Sequence, residues 1–292
     1  MKPIHVALAV LIAAVWGFNF IAIKFGVTAA PPFFLTGARF LLAAIPAVFF
    51  VAKPREHFGW VMAFGLVLGV GQFGFLFLAV RMGLPVGLTS LVMQTQAFFT
   101  MFFAWALMGE APVARQTWGA VIAFVGIAVI AYARWSGPDA VPLLLCLAAA
   151  AGWAMANIIS KKARPANTLS FVIWSSLAVP VPMFALSYIF EDHAQSWAII
   201  THPTLQVVLS LLYLAFLSTL FGYAAWNHLF NHYSAATIAP FSLLIPIFGI
   251  LGGAVVFGER FDIYAIVGGA LIILGLIYSN YGPSFSKKKA ET

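Results

Sequence analysis

The sequence predicts an all-α membrane protein of ten transmembrane helices arranged as two inverted five-helix repeats. Three observations carry this. The 292-residue chain is 63% hydrophobic and 8% charged, with a mean hydropathy of +1.01; a soluble domain of that length could not solvate itself with so few charges. The apolar residues gather into ten runs, each close to the ~20 residues that cross a hydrocarbon core. Finally, Met108-Gly109-Glu110 returns 149 residues later as Phe257-Gly258-Glu259, and the same offset links Gly119 to Gly268 and Gly126 to Gly275. A repeat of half the chain built from apolar spans is a mark of secondary transporters.

Taken in order, the spans are 4–24, 33–52, 59–80, 86–108, 115–133, 140–160, 168–189, 204–226, 234–257 and 263–281. The first is too long for a signal-peptide core and continues through Asn19, so it reads as a span. Turn or charge signals separate the runs: Pro31-Pro32, Lys53–His57, Gly83-Leu84-Pro85, Gly109–Pro112, Gly137-Pro138, Lys161–Pro165, Glu191–Gln195 and Gly258–Asp262. Five spans per half is an odd number, so the second half enters the membrane opposite to the first, and the repeats are inverted. The first repeat is placed at 1–135, the second at 136–283, and a tail at 284–292.

Basic residues orient the chain. With the N-terminus cytoplasmic, Lys2, Lys53, Arg55, Arg115, Lys161, Lys162, Arg164 and the tail lysines Lys287, Lys288 and Lys289 lie inside, against Lys24, Arg81, Arg134 and Arg260 outside. Ten against four places both termini in the cytoplasm. The formal charge of +7 therefore reflects membrane orientation rather than a nucleic-acid groove. The single cysteine, Cys146, sits in an apolar run and supports neither a disulfide framework nor a thiolate metal site.

Helical spacing sorts the polar residues within the spans into faces. Trp16, Asn19, Phe20 and Ile23 form one stripe on the first span; Trp153, Asn157 and Ser160 form another on the sixth. These spans open the two repeats, and an inverted pair would bring both stripes to a midplane cavity. The alternative is that both asparagines bond neighbouring helices, each contributing about 0.6 kcal/mol. Gln94 and Gln96 are about 200° apart on an α-helix, so one is expected on the path and the other against a neighbour. Gln72 is a further candidate with the same alternative. Tyr223, Trp226, Asn227 and Phe230 make an aromatic face on the eighth span, either interfacial anchors or cavity wall.

Arg39 is the costliest residue, because an arginine at a span centre costs about 2.5–3.5 kcal/mol on insertion scales. It either snorkels to the headgroups or meets a substrate carboxylate with two hydrogen bonds. Lys24 reads as a snorkelling anchor. No Asp or Glu lies within a span, which argues against efflux of hydrophobic cations or a carboxylate-built sodium site. Glu110 and Glu259 read as turn residues after helix-ending glycines, complementing the next helix dipole. His228 and His232 have metal-ligand spacing without a third ligand, so helix-end packing is the simpler reading. Gly69-Val70-Gly71-Gln72-Phe73-Gly74 spells a dinucleotide fingerprint, but mid-span and without a βαβ unit. With Gly65 it reads as a small-residue stripe for close helix approach, and Gly249 with Gly253 offers another. Pro46, Pro180, Pro182, Pro240 and Pro246 are expected to bend spans. No phosphate loop occurs, so transport runs on gradients, and no nucleophile, acid–base pair or metal set for an integral-membrane enzyme converges.

Several of these residues carry a family resemblance. Trp16-Gly17-Phe18-Asn19-Phe20, then Lys24, Pro31-Pro32 and Arg39-Phe40, resemble the first repeat of EamA-type transporters of the drug/metabolite transporter superfamily, and the two Gly-Glu turns resemble its repeat ends. Gln94-Thr95-Gln96-Ala97-Phe98-Phe99 and Leu243-Leu244-Ile245-Pro246 are similar to branches exporting aromatic amino acids and cysteine/O-acetylserine. The resemblance implies an inner-membrane exporter with ten helices around a central cavity, moving neutral amino acids and related metabolites by alternating access. Carriage of phosphorylated or nucleotide-linked sugars is the alternative from the same superfamily. The substrate and the lipid bilayer are the expected partners, no cofactor or nucleic acid is expected, and a monomer is compatible with this reading.

Overall fold

The computed structural model describes residues 1–134, 140–233 and 235–281, and every regular element among them is a helix. In chain order these are α1 (Pro3–Ala29), α2 (Pro32–Phe49), α3 (Phe58–Arg81), α4 (Val86–Met108), α5 (Ala114–Ala133), α6 (Ala140–Ala163), α7 (Thr168–Phe190), α8 (Leu205–Trp226), the shorter α9 (Leu244–Phe257) and α10 (Ile263–Tyr281). All but α9 are long and apolar enough to cross a bilayer. Large apolar side chains cover the outside: Val255 is 82% exposed and Val181 77%. Such a surface is stable only against lipid, so the chain is a multi-pass membrane protein. The tail 284–292, the Gly137-Pro138 break and the side chains of Arg134, Asn227, Phe230 and Pro240 lie outside the described residues.

Four of the expected spans are interrupted rather than continuous. The ninth, expected as one helix over 234–257, is a helix Ala235–Ser242 followed after Leu243 by α9. Pro246 offers no N–H to the Ser242 carbonyl, so the ladder stops there. The fourth span carries a 3-10 turn at Met93–Thr95, which lies at the repeat equivalent of Leu243, 149 residues earlier. The second leaves α geometry after Ala44, ahead of Pro46, and the seventh after Ser176, ahead of Pro180. The third and eighth spans each contain a π-helical stretch, Val67–Gly74 and Tyr213–Phe221. Such wide turns concentrate at functional sites.

Helix ends follow the local signals. Asn167, Thr204 and Asp262 accept N–H bonds from Ser170, Val207 and Ala265, capping α7, α8 and α10. Gly109 and Gly258 close α4 and α9 in left-handed conformation, with φ of 70° and 64°. In both, the glutamate N–H reaches back to the carbonyl six residues earlier, Glu110 to Ala104 and Glu259 to Gly253. The glycine N–H groups bond the carbonyls four residues earlier, Gly109 to Trp105 and Gly258 to Ala254. These are matching left-handed glycine C-caps, so the repeated motif is the same structural device used twice.

A close, self-symmetric helix contact joins α5 to α10. A Cβ built on Gly119 would lie 2.6 Å from the Gly275 carbonyl oxygen, and one on Gly126 2.5 Å from that of Gly268. Gly268 and Gly275 return the same contacts to Gly126 and Gly119. The helices thus run antiparallel, and the contact set maps onto itself under the 149-residue offset. The other small-residue stripes also permit close approach: Gly65 and Gly69 lie against Ser175 and Val179 of α7, and Gly249 against Ser90 of α4.

Candidate functional site

The 3-10 turn of α4, the two π-helical stretches and the break at Leu243 border a central cavity of about 310 Å³, a size typical of small-molecule sites. All ten residues singled out from the sequence line it: Trp16 and Asn19 from α1, Arg39 from α2, Gln72 from α3, Gln94 and Gln96 from α4, Trp153 and Asn157 from α6, and Tyr223 and Trp226 from α8 and its continuation. One expectation about them is corrected. Gln94 and Gln96 both face the cavity, because the 3-10 turn at Met93–Thr95 separates them and the α-helical angle no longer applies.

Arg39 does not snorkel. It is 2% exposed and lies at the cavity wall between the two π-helical stretches. Its guanidinium carbon is 4.1 Å from the Phe73 ring centroid, over the α3 stretch. Its Nη2 donates to Thr219 Oγ1 at 3.2 Å on the α8 stretch, and that hydroxyl donates to the Leu214 carbonyl at 2.8 Å. The Nε and Nη1 groups have no protein partner. Two other buried polar atoms of cavity residues are likewise unpaired, Asn19 Oδ1 and Gln72 Oε1. Buried donors and acceptors are almost always satisfied, and an unpaired one costs about 1–3 kcal/mol. No aspartate or glutamate is among the lining residues.

Asparagine 157 combines the two readings left open for it. It lines the cavity, and its Nδ2 donates to Gln96 Oε1 at 3.0 Å and Thr100 Oγ1 at 3.2 Å, tying α6 to α4. The aromatic wall is equally braced. Trp16 Nε1 donates to the Ser218 carbonyl at 3.0 Å, and its ring centroid is 5.6 Å from that of Tyr223 and 5.2 Å from that of Trp226. Ile23, placed on the same stripe as Trp16, is instead fully buried in the core. The sequence reading missed Phe73, Met93, Phe171 and Ser218 as lining residues. The Ser218-Thr219 pair inside an apolar run was the one polar signal for the last of these; the apolar ones look like any lipid-facing residue.

Two charged residues behave differently from expectation. Lys24 is no snorkelling anchor: its Nζ lies 3.1 Å from Glu259 Oε1 and 4.4 Å from the Phe257 ring centroid. Glu259 serves a helix other than its own successor. Its carboxylate accepts the Val86 N–H at 2.7 Å and the Gly87 N–H at 2.9 Å, at the start of α4, while Asp262 caps α10. The His228 and His232 rings lie 4.4 Å apart, tilted by 43°, beside His5, whose Nδ1 is 2.8 Å from the Tyr233 hydroxyl.

Comparison with known proteins agrees with this architecture. The chain is 40% identical over 284 residues to a "Probable amino-acid metabolite efflux pump" of Salmonella typhimurium (strain LT2), covering 94% of both chains. It is 39% identical to a protein of the same description in Escherichia coli (strain K12), covering 96% of both. An "Uncharacterized inner membrane transporter YedA" of Escherichia coli (strain K12) is 24% identical over 84% of this chain and 80% of its own. A solved crystal structure shares the fold with a TM-score of 0.63 at 19% identity, over 96% of this chain and 98% of that one. Residues 4–132 and again 141–281 match the EamA-like transporter family. The chain belongs to that family and is a membrane transporter, not an enzyme.

Proposed function

We propose that the protein is a secondary-active exporter of neutral amino acids and related metabolites, resident in the inner membrane with both termini cytoplasmic. The observation that carries this is the set of unpaired polar atoms in the cavity. Two N–H donors of a buried cation, Arg39 Nε and Nη1, face the same space as two amide oxygens, Asn19 Oδ1 and Gln72 Oε1. A zwitterionic amino acid is the complement of that set. Its carboxylate accepts from the unpaired guanidinium N–H groups, and its ammonium donates to the amides. Trp16, Tyr223 and Trp226 offer an apolar wall for its side chain. The names of the two relatives near 40% identity point the same way.

A phosphorylated or nucleotide-linked sugar fits less well. A dianion favours more than one cavity cation, and Lys24 is held by Glu259, which leaves Arg39 as the basic side chain among the lining residues.

The same reading takes the two halves as inverted five-helix repeats, divided near residue 135, that rock about the midplane site. The self-mapping glycine contacts of α5 and α10 and the π-helical stretches in α3 and α8 support that symmetry. Counterflow in proteoliposomes with a panel of labelled amino acids and sugar phosphates tests the proposal. Uptake driven by internal unlabelled amino acid, reduced in Asn19→Ala, Arg39→Gln and Trp153→Ala, is expected. Counterflow of sugar phosphates alone, or unchanged transport in all three folded variants, would overturn it.

A further inference from the structure

The repeated glutamates do more than end helices. At the Lys24 end of the bundle, Glu259 joins the second half to the first through three bonds: to Lys24 of α1 and to the first two amides of α4. Glu191, which follows α7, does the same for α2, accepting the Phe33 and Phe34 N–H groups at 2.7 and 3.0 Å. A carboxylate on a helix N-terminus meets both free N–H groups and the positive end of the dipole. The Lys24 end is therefore tied across the halves by two carboxylates.

The opposite end carries the symmetry mates in a looser state. Lys161 follows Lys24 by the 137 residues that also separate Trp153 from Trp16, and Glu110 precedes Glu259 by 149. Lys161 pairs with Glu110, again from one half to the other. Yet the Glu259 side chain is 8% exposed and that of Glu110 46%. The cavity reaches this end, since Ser160 at the close of α6 and Thr168 at the start of α7 line it. Under the 149-residue offset, the equivalents of Val86 and Gly87 are Ala235 and Ala236, the first residues of the helix that precedes α9.

The geometry points to Glu259 and Glu110 as alternating latches that decide which end of the cavity is open. In the state described, Glu259 holds the start of α4 and the Lys24 end is closed. In the opposite state, Glu110 takes the amides of Ala235 and Ala236, closing the Lys161 end, while Glu259 releases α4. Each latch is a positioning residue: it touches no substrate and acts through the helix whose start it holds. This rests on the alternating-access reading above, but not on the identity of the substrate.

The test uses the full chain in lipid nanodiscs, with Cys146→Ala removing the native thiol. Two single-cysteine reporters are compared by maleimide labelling rate: Ser90→Cys, fully buried beneath the α4 latch, and Ser160→Cys on the cavity wall near the open end. In the background, Ser160→Cys is expected to label fast and Ser90→Cys slowly. Glu259→Gln should speed Ser90→Cys at least tenfold and slow Ser160→Cys. Glu110→Gln should leave Ser90→Cys at or below its background rate and Ser160→Cys no slower. Should Glu259→Gln fold poorly, Val86→Pro deletes one latched N–H at the first helical position, where proline is tolerated. The preceding Pro85 is already extended, at φ −58° and ψ 140°. It should also speed Ser90→Cys. A folded Glu259→Gln or Val86→Pro with Ser90→Cys at the background rate would overturn the proposal, as would Glu110→Gln moving both reporters in the same directions as Glu259→Gln. Labelling needs no substrate, so this failure is separate from a failure of amino-acid counterflow.

Discussion

Arg39 and Lys24 are cations of the same half, on neighbouring helices, and the protein treats them in opposite ways. Lys24 is neutralised by Glu259 at 3.1 Å and keeps 25% of its side chain exposed. Arg39 is buried beside a phenylalanine and a threonine, with two of its nitrogens unpaired and no carboxylate among the described lining residues. A buried uncompensated charge is among the most expensive features a protein can carry. On the proposed reading, Lys24 is a charge that holds the structure and Arg39 one kept for a ligand. The cavity's polar residues cluster around Arg39, while the repeated glutamates sit at the bundle ends.

The contrast breaks most severely at Arg39 itself. Truncating one partner of a buried charge pair costs about 2–5 kcal/mol, so Arg39→Gln is expected to lower counterflow at sub-saturating substrate by about 30-fold or more. Arg39→Lys, which keeps the charge but not the planar fork, should fall between that variant and the wild type. Normal rates in Arg39→Gln would put this residue with Lys24 as a structural cation. Asn157→Ala comes next. It leaves Gln96 Oε1 without the Asn157 donor, and a loss of about 1–3 kcal/mol should appear as about a tenfold rise in the half-saturating substrate concentration.

A smaller effect is expected far from both cations. Gly126→Ala forces a Cβ to within 2.5 Å of the Gly268 carbonyl oxygen, and overpacking of this kind costs about 1–3 kcal/mol of stability. The thermal midpoint of the detergent-solubilised protein should drop while the half-saturating concentration stays put, which distinguishes loss of packing from loss of the site. The smallest effect belongs to Lys161→Gln. Its pair with Glu110 is half exposed, and such pairs contribute about 0–1 kcal/mol. Its midpoint should barely move, whereas Lys24→Gln, which takes the partner from a largely buried Glu259, should lower it measurably. Equal shifts in the two variants would erase the difference between the two ends.

How far these features could be read from the chain depended on the kind of signal. Spans were visible because bilayer thickness imposes a length and lipid imposes a composition, and the Gly-Glu repeat marked two matching left-handed glycine C-caps. The polar residues were visible because a polar group in an apolar span is costly, so Asn19, Arg39, Gln72 and Asn157 stood out and all reach the cavity. Departures from α geometry were legible only where a proline marked them, as Pro246 marks the break at Leu243. The 3-10 turn that brings Gln94 and Gln96 to one side and the π-helical stretches that hold Arg39 depend on packing between helices. Lys24 was misjudged for a related reason: its partner Glu259 is 235 residues away, and only the fold brings them together.

The central claim is that the unpaired N–H groups of Arg39 belong to a substrate carboxylate, and one comparison tests it directly. Counterflow of a transported amino acid is measured against competition by the same amino acid and by its methyl ester, in the wild type and in Arg39→Gln. The wild type is expected to prefer the free carboxylate by about 30-fold or more, and Arg39→Gln to lose that preference. A folded Arg39→Gln transporter that still discriminates as the wild type does would contradict the assignment.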